Sequence, residues 1–254
     1  MKIHINRNFD FLSEWLSELP LRFDVEGGKT LHDGRNVVRC FEEGGVRLVV
    51  KRFKPVNFIQ QIAYTFFCRT KAEKAYRFAR IFQERGFDTP ASVAYIEDYR
   101  WGLFRIGYFV SLYCENPPAF PALVPVEHYD EQLAQSLAEL ICRMHLKGIL
   151  HGDLNFGNFL YRKMEDGRYT FTIIDTNRSR FMEHCPDEES CLYNLRTMTH
   201  RRDLFCYMVR EYAKLREWNP DETEQKALHY LEKLELKHKR KEQWKKLKRH
   251  CSPG

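Results

Sequence analysis

What this 254-residue chain lacks narrows what it can be. No run of about 18 apolar residues occurs, so no segment is expected to cross a bilayer as a helix. The start, Met1 to Arg7, alternates like a strand and lacks the apolar stretch of a secretion signal, so the chain is expected in the cytoplasm. Its 8 cysteines include no C-x-x-C pair and no zinc-type histidine spacing; free thiols are expected, and no cysteine-based metal site. There is no internal repeat, no low-complexity block and no G-x-G-x-x-G. Net charge is missing over most of the length. Residues 235–250 hold 8 Lys/Arg and 2 Asp/Glu, a net of +6, and the whole chain is also +6, which leaves 33 basic (41 − 8) against 33 acidic (35 − 2) residues elsewhere. A nucleic-acid partner is therefore not expected.

Against that background one segment is dense with chemistry. His151-Gly152-Asp153-Leu154-Asn155-Phe156-Gly157-Asn158 reads H-x-D-x-x-x-x-N, and the apolar run Ile173-Ile174 then ends in Asp175. Phosphoryl transfer from a nucleotide needs a carboxylate beside the acceptor hydroxyl. It also needs an amide oxygen and a second carboxylate to hold magnesium against the phosphates. Asp153, Asn158 and Asp175 are of those kinds, in that order. A five-residue offset lets a loop aim Asp153 at the acceptor while Asn158 folds back. Asn158 to Arg162 and Tyr169 to Ile174 read as two strands joined at Glu165-Asp166-Gly167, a hairpin that returns Asp175 toward Asn158. ATP and Mg2+ are the cofactors this pattern calls for.

A kinase also needs a cation on the nucleotide phosphates. Val46 to Phe53 is a β-rich run in which Lys51 follows Val49-Val50, and strand alternation sends Lys51 and Arg52 to opposite faces. Lys51 is the expected phosphate lysine. Glu73, on a helical stripe spanning Lys71 to Gly86, is the candidate to hold it, or else a surface partner of Arg69 or Arg77. In place of a glycine loop there is one turn, His32 to Asn36. Gly34, Arg35 and Asn36 are expected there to meet phosphate.

The expected fold class is α+β: a bilobal arrangement with a small β-rich lobe carrying one main helix, and a larger helical lobe. The domains expected are 1–115 for nucleotide phosphates, 116–234 for the catalytic loop, metal site and helices, and 235–254 as a basic tail. Asn116 to Pro121 reads as the linker, which puts the adenine near Leu112 to Glu115, with Glu115 as a contact. A helix over Phe9 to Leu19 is expected to stop at Pro20, and single helices are expected over 130–147, 189–215 and 221–236. The aromatic segment Phe58 to Phe67 reads as packing within the first lobe, or else as a contact to lipid. The tail, with Trp244 and Leu247 on a basic cylinder, suits an anionic membrane surface.

These motifs together resemble the Kdo/WaaP-type lipopolysaccharide core kinase family, within the wider protein-kinase-like fold, and especially members from Bacteroidetes-type bacteria. The stretches that carry the resemblance are Gly34-Arg35-Asn36-Val37, Val49 to Pro55, Ala63 to Phe67, Lys71-Ala72, Gly86 to Pro90, His151 to Asn158 and Ile174 to Arg178. The resemblance implies an ATP-dependent phosphotransferase with an alcohol acceptor, a Kdo or heptose hydroxyl of the lipopolysaccharide inner core. It implies Asp153 as catalytic base, Asn158 and Asp175 as magnesium ligands, Lys51 on phosphate, and His151 supporting the loop. Arg178 and Arg180 are candidates to grip an acidic group of the acceptor. A glycolipid partner and a peripheral place on the cytoplasmic face of the inner membrane follow. Two departures stand out: Ala75 occupies the usual place of the helix glutamate, and the glycine loop is reduced. Asp175 also lacks a following Phe-Gly, so no activation loop is expected. The alternatives are a RIO-like protein kinase, a small-molecule phosphotransferase of the aminoglycoside or choline type, and a catalytically inert kinase fold acting as a membrane-associated binding module.

Overall fold

The structure, a computed structural model, describes residues 1–25 and 28–250, apart from the side chains of residues 245 and 247–250. The chain divides into two units, residues 1–116 with 171–178, and residues 117–170 with 179–254. Residues 171–178, and Asp175 with them, pack with the first unit, whereas the expected domain bounds assign them to the second.

The first unit is built on an antiparallel sheet of β1 (Lys2–Ile5), β2 (Lys29–Asp33), β3 (Val37–Glu43), β4 (Val46–Arg52), β5 (Ser92–Arg100) and β6 (Leu103–Leu112), in the order β1-β5-β6-β4-β3-β2. Helix α1 (Ser13–Arg22) covers one face, burying Trp15, Leu16 and Leu19 against Leu48, Val50, Ile96 and Val110. It runs through Pro20 to Arg22 instead of stopping there. Proline removes one hydrogen bond and strains the turn before it. Close to the helix end that cost is offset by the buried face, which continues to Phe23.

Two helices follow β4. Helix α2 (Phe58–Phe66) is capped by Asn57, whose side chain accepts from the Gln60 amide at 2.9 Å. Helix α3 (Lys71–Glu84) is capped by Thr70, which accepts from the Glu73 amide and donates to the buried Glu97 carboxylate at 2.6 Å. The small residues Ala72 and Ala75 let α3 approach the sheet closely, and they bury against Phe53 and Tyr95. Of the two readings the sequence allows for Phe58 to Phe67, packing within the lobe or contact to lipid, the first does not hold for α2, which buries none of its residues.

The second unit is helical. It comprises α4 (Phe120–Leu123), α5 (Glu131–Leu146), α6 (Glu188–Leu195), α7 (Arg202–Leu215) and α8 (Pro220–His250), with β7 (Ile149–Leu150), β8 (Phe159–Lys163), β9 (Tyr169–Ile173) and β10 (Arg180–Phe181). Its boundary with the first unit falls inside β9. Leu137, Ile141, Met144, Phe205, Met208 and Tyr212 are among the side chains that fill its interior. The helix expected over 189–215 is broken at residues 196–201. Arg201 accounts for the break: its guanidinium donates to the carbonyls of Leu123, Val124, Val126 and Glu127 and to Asp203. The basic segment is the continuation of α8 rather than a separate tail. Trp244 on it is exposed, while the side chain of Leu247 and residues 251–254 lie outside the described residues.

Candidate active site

In the first unit, strand alternation sorts the two cations of β4. Arg52 turns toward the α1 side, 2.5 Å from Asp24 and 4.5 Å over the Phe23 ring. Lys51 turns to the α3 side, where its Nζ lies 2.6 Å from Oδ1 of Asp175. Asp175 has φ +56°, a left-handed conformation that aspartate tolerates better than most residues. The short 3-10 turn Thr176–Arg178 follows it, and Asn177 Nδ2 donates to the same Oδ1 at 2.6 Å. Both contacts fall on Oδ1, so Oδ2 stays available to a cation. Lys51, Asp175 and Ala75 line one small pocket with Ala79, Phe109 and Ser111.

Glu73 does not hold Lys51. Its carboxylate lies 2.7 Å from Arg77 and 3.6 Å from Arg69, the surface pairing that the sequence left open. The reason is helical phase. Ala75, on the buried stripe of α3, faces the pocket, and Glu73 is turned toward its i±4 neighbours. With no acid on α3 facing Lys51, Asp175 serves as its counter-ion.

Gly34, Arg35 and Asn36 form the turn between β2 and β3. A Cβ on Gly34 would sit 2.6 Å from Nε2 at the tip of the exposed His32 side chain, which would have to turn aside. Asn36 accepts from the Lys54 amide through its side-chain Oδ1 at 3.1 Å, fixing the turn to the residues just after β4. Arg35 belongs to a cluster that sequence reasoning missed. Lys71, half-buried at the start of α3, has its pKa lowered, first by burial and then by the charges of Arg35, Arg178, Lys51 and Lys74. Cations brought together this way repel one another, and an anion relieves them. Glu115, at the other end of the unit, is exposed and pairs with Arg47.

In the second unit β7 pairs with β10 and carries the chain into the catalytic-type loop. His151 is fully buried, packs on Phe159 with ring centroids 5.7 Å apart, and its carbonyl accepts from Ser179 Oγ at 3.3 Å. Gly152 turns the chain at φ +72°. The Leu154 amide donates to Thr197 Oγ1 at 3.0 Å, tying the loop to the segment that breaks α6 from α7. Asn155 caps the next turn by accepting from the Gly157 amide, and Asn158 Nδ2 donates to the Asp153 carbonyl at 3.0 Å. That last bond folds Asn158 back as its spacing suggested and leaves its Oδ1 available. Asp153 is half-buried on this loop. Arg180 is exposed on β10, and Arg178 is exposed in the first unit.

Comparison with known proteins follows the same line. The family model described as "Lipopolysaccharide kinase (Kdo/WaaP) family" matches residues 25–225. No protein with a curated description matches by sequence. Among solved structures, "WaaP in complex with acyl carrier protein" is similar at 16% identity and TM-score 0.58, covering 94% of this chain and 99% of that one. The Rio2 kinase–ADP/Mg2+–phosphoaspartate complex from Chaetomium thermophilum is similar at 19% identity and TM-score 0.48, covering 86% of this chain and 66% of that one.

Proposed function

The chain belongs to the lipopolysaccharide kinase (Kdo/WaaP) family, and from that premise we propose that it transfers the γ-phosphate of ATP to a Kdo or heptose hydroxyl of the lipopolysaccharide inner core. The fold is the protein-kinase-like α+β fold. The observation that carries the proposal is the 2.6 Å pair of Lys51 with Asp175 beside a pocket of the first unit. A lysine held by a carboxylate is poised to transfer its hydrogen bonds to phosphate oxygens when nucleotide arrives.

The chain's own residues divide the work. Lys51, with Arg35 and Gly34 on the β2–β3 turn, binds nucleotide phosphates, and Glu115 contacts the adenine. Asp153 orients the acceptor hydroxyl and takes its proton. His151, buried and stacked on Phe159, holds the loop in shape. Asp175 and Asn158 have the hard oxygen donors that magnesium takes, each with an oxygen free of the hydrogen bonds just described. When bound, the ion neutralises charge on the phosphates. Arg178 and Arg180 receive an acidic group of the acceptor. The basic end of α8 holds the protein against the anionic cytoplasmic face of the inner membrane.

Label from γ-labelled ATP is expected in purified lipid A–core glycolipid with wild-type protein and Mg2+. Asp153→Ala should lower the rate by at least about a hundredfold while nucleotide still binds. Equal labelling by the two proteins would refute Asp153 as the base. Labelled protein with unlabelled glycolipid would favour a protein kinase.

A further inference from the structure

Helix α2 is mounted with its apolar face outward. Phe58, Ile62 and Phe66 stand at i, i+4 and i+8, with Ile59 beside them, so one side of the helix is hydrophobic. A helix of a soluble domain turns such a face to the core. Here Phe58, Ile59 and Phe66 are 66, 78 and 67% exposed, and Phe67 after the helix is 80% exposed. Gln61, Tyr64 and Thr65 are the polar residues turned away from solvent, while Gln60 is exposed. Thr65 Oγ1 accepts from the Phe104 amide at 2.9 Å, Gln61 Nε2 donates to the Val56 carbonyl at 3.4 Å, and Tyr64 packs edge-on against Phe104. The seat is specific, so the outward face is fixed and is not a frayed segment.

Charge and neighbouring aromatics say what covers it. From Phe53 to Ala72 the chain has no Asp or Glu, but it has Lys54, Arg69 and Lys71. The β5–β6 turn, three residues before Phe104, adds Trp101, 88% exposed, with the Arg100 guanidinium 4.4 Å over its ring. Phenylalanine and tryptophan on a short helix and turn, bordered by cations, suit the boundary between lipid headgroups and acyl chains. An acidic protein groove would match the charge but would not call for four large apolar side chains left in water.

We propose that α2 is an interfacial helix that lays Phe58, Ile59 and Phe66 into the surface of an anionic bilayer, with Lys54 and Arg69 on the headgroup phosphates. This contact is separate from the basic end of α8 and does not depend on which hydroxyl is phosphorylated. It supplies hydrophobic insertion, where the end of α8 supplies charge.

The test is flotation of the full chain with vesicles of phosphatidylglycerol and phosphatidylethanolamine, and with neutral phosphatidylcholine. Wild-type protein should float with the anionic vesicles. The triple variant Phe58→Ser, Ile59→Ser, Phe66→Ser should partition at least about tenfold less, with an unchanged melting temperature because the three side chains are exposed. In a second measurement, Phe66→Trp should show emission quenched by brominated lipid beyond that of wild type. Equal flotation of the triple variant would overturn the proposal, as would emission from the Phe66→Trp protein that is blind to the lipid. A wild-type dimer that the triple variant makes monomeric, with vesicle binding unaltered, would also overturn it and assign the face to a second copy.

Discussion

Nζ of Lys51 lies 2.6 Å from Oδ1 of Asp175, and Ala75 of α3 lines the same pocket where an acid would otherwise compete for the lysine. The positive φ of Asp175 and its bond from Asn177 hold the carboxylate in that position. The lysine is thus paired from the far end of the β8–β9 hairpin and not from the helix beside it.

Ala75→Glu puts a competing carboxylate into this pocket. Ala75 is 4% exposed, so the new side chain is expected to cost about 1–3 kcal/mol in overpacking and desolvation. It should also draw Lys51 from Asp175 and lower kcat/KM for ATP by at least about tenfold. Ala75→Leu overpacks without charge and should lose stability while keeping more of the ATP dependence. Urea midpoints beside initial rates separate the two; equal kinetic losses in both variants would assign the effect to packing alone.

Lys71→Met removes one charge from the group of Arg35, Lys51, Arg178 and Lys74. It also removes a cation from the first turn of α3, where the helix dipole disfavours it. Without ligand the variant is expected to be more stable by about 0.5–1 kcal/mol. Affinity for tripolyphosphate should fall by about tenfold, with a shallower dependence on salt. Isothermal titration at two ionic strengths and thermal unfolding check both; a less stable variant that binds tripolyphosphate normally would refute the anion role.

His145 gives the second unit a pH-dependent stability. It is fully buried, 2.8 Å from Tyr212 Oη and 3.0 Å from Asn194 Oδ1, and burial lowers its pKa to about 4, with Arg216 adding to the shift. Between pH 6.5 and 4 the unfolded chain binds the proton and the folded one does not, so stability falls as the solution is acidified. The loss should approach about 3 kcal/mol near pH 4, with the full contribution present above pH 6.5. His145→Gln keeps a polar group and removes the titration. Its difference from wild type in urea unfolding should shift in its favour as pH drops from 7 to 4.5, and a constant difference would exclude this account.

The legible parts of the site were the local ones. Asp153 and Asn158 lie five residues apart on one loop, and the bond between the Asn158 amide and the Asp153 carbonyl is a short-range consequence of that spacing. The apolar stripe of α3 and the alternation of β4 likewise set the faces of Ala75 and Lys51. Glu73 was ambiguous because Arg69 and Arg77 lie one helical turn away on either side, and only the rotation of α3 on the sheet decides between them and Lys51. The break between α6 and α7 was hidden because its cause, the bonds of Arg201 to carbonyls of residues 123–127, joins segments far apart in the chain. Thr197 was missed for the same reason, since its bond is to Leu154.

The sequence by itself determined the catalytic-type loop, the strand that carries Lys51 and the helix that follows, because spacing and periodicity are properties of neighbouring residues, and its motifs carried the resemblance to the family. Only the tertiary structure decided that Asp175 packs with the first unit as the counter-ion of Lys51, that Lys71 joins the cations of that unit, and that α2 turns Gln61, Tyr64 and Thr65 away from solvent. A helical period reveals that a face is apolar, but whether protein or solvent meets that face depends on what the rest of the chain brings to it.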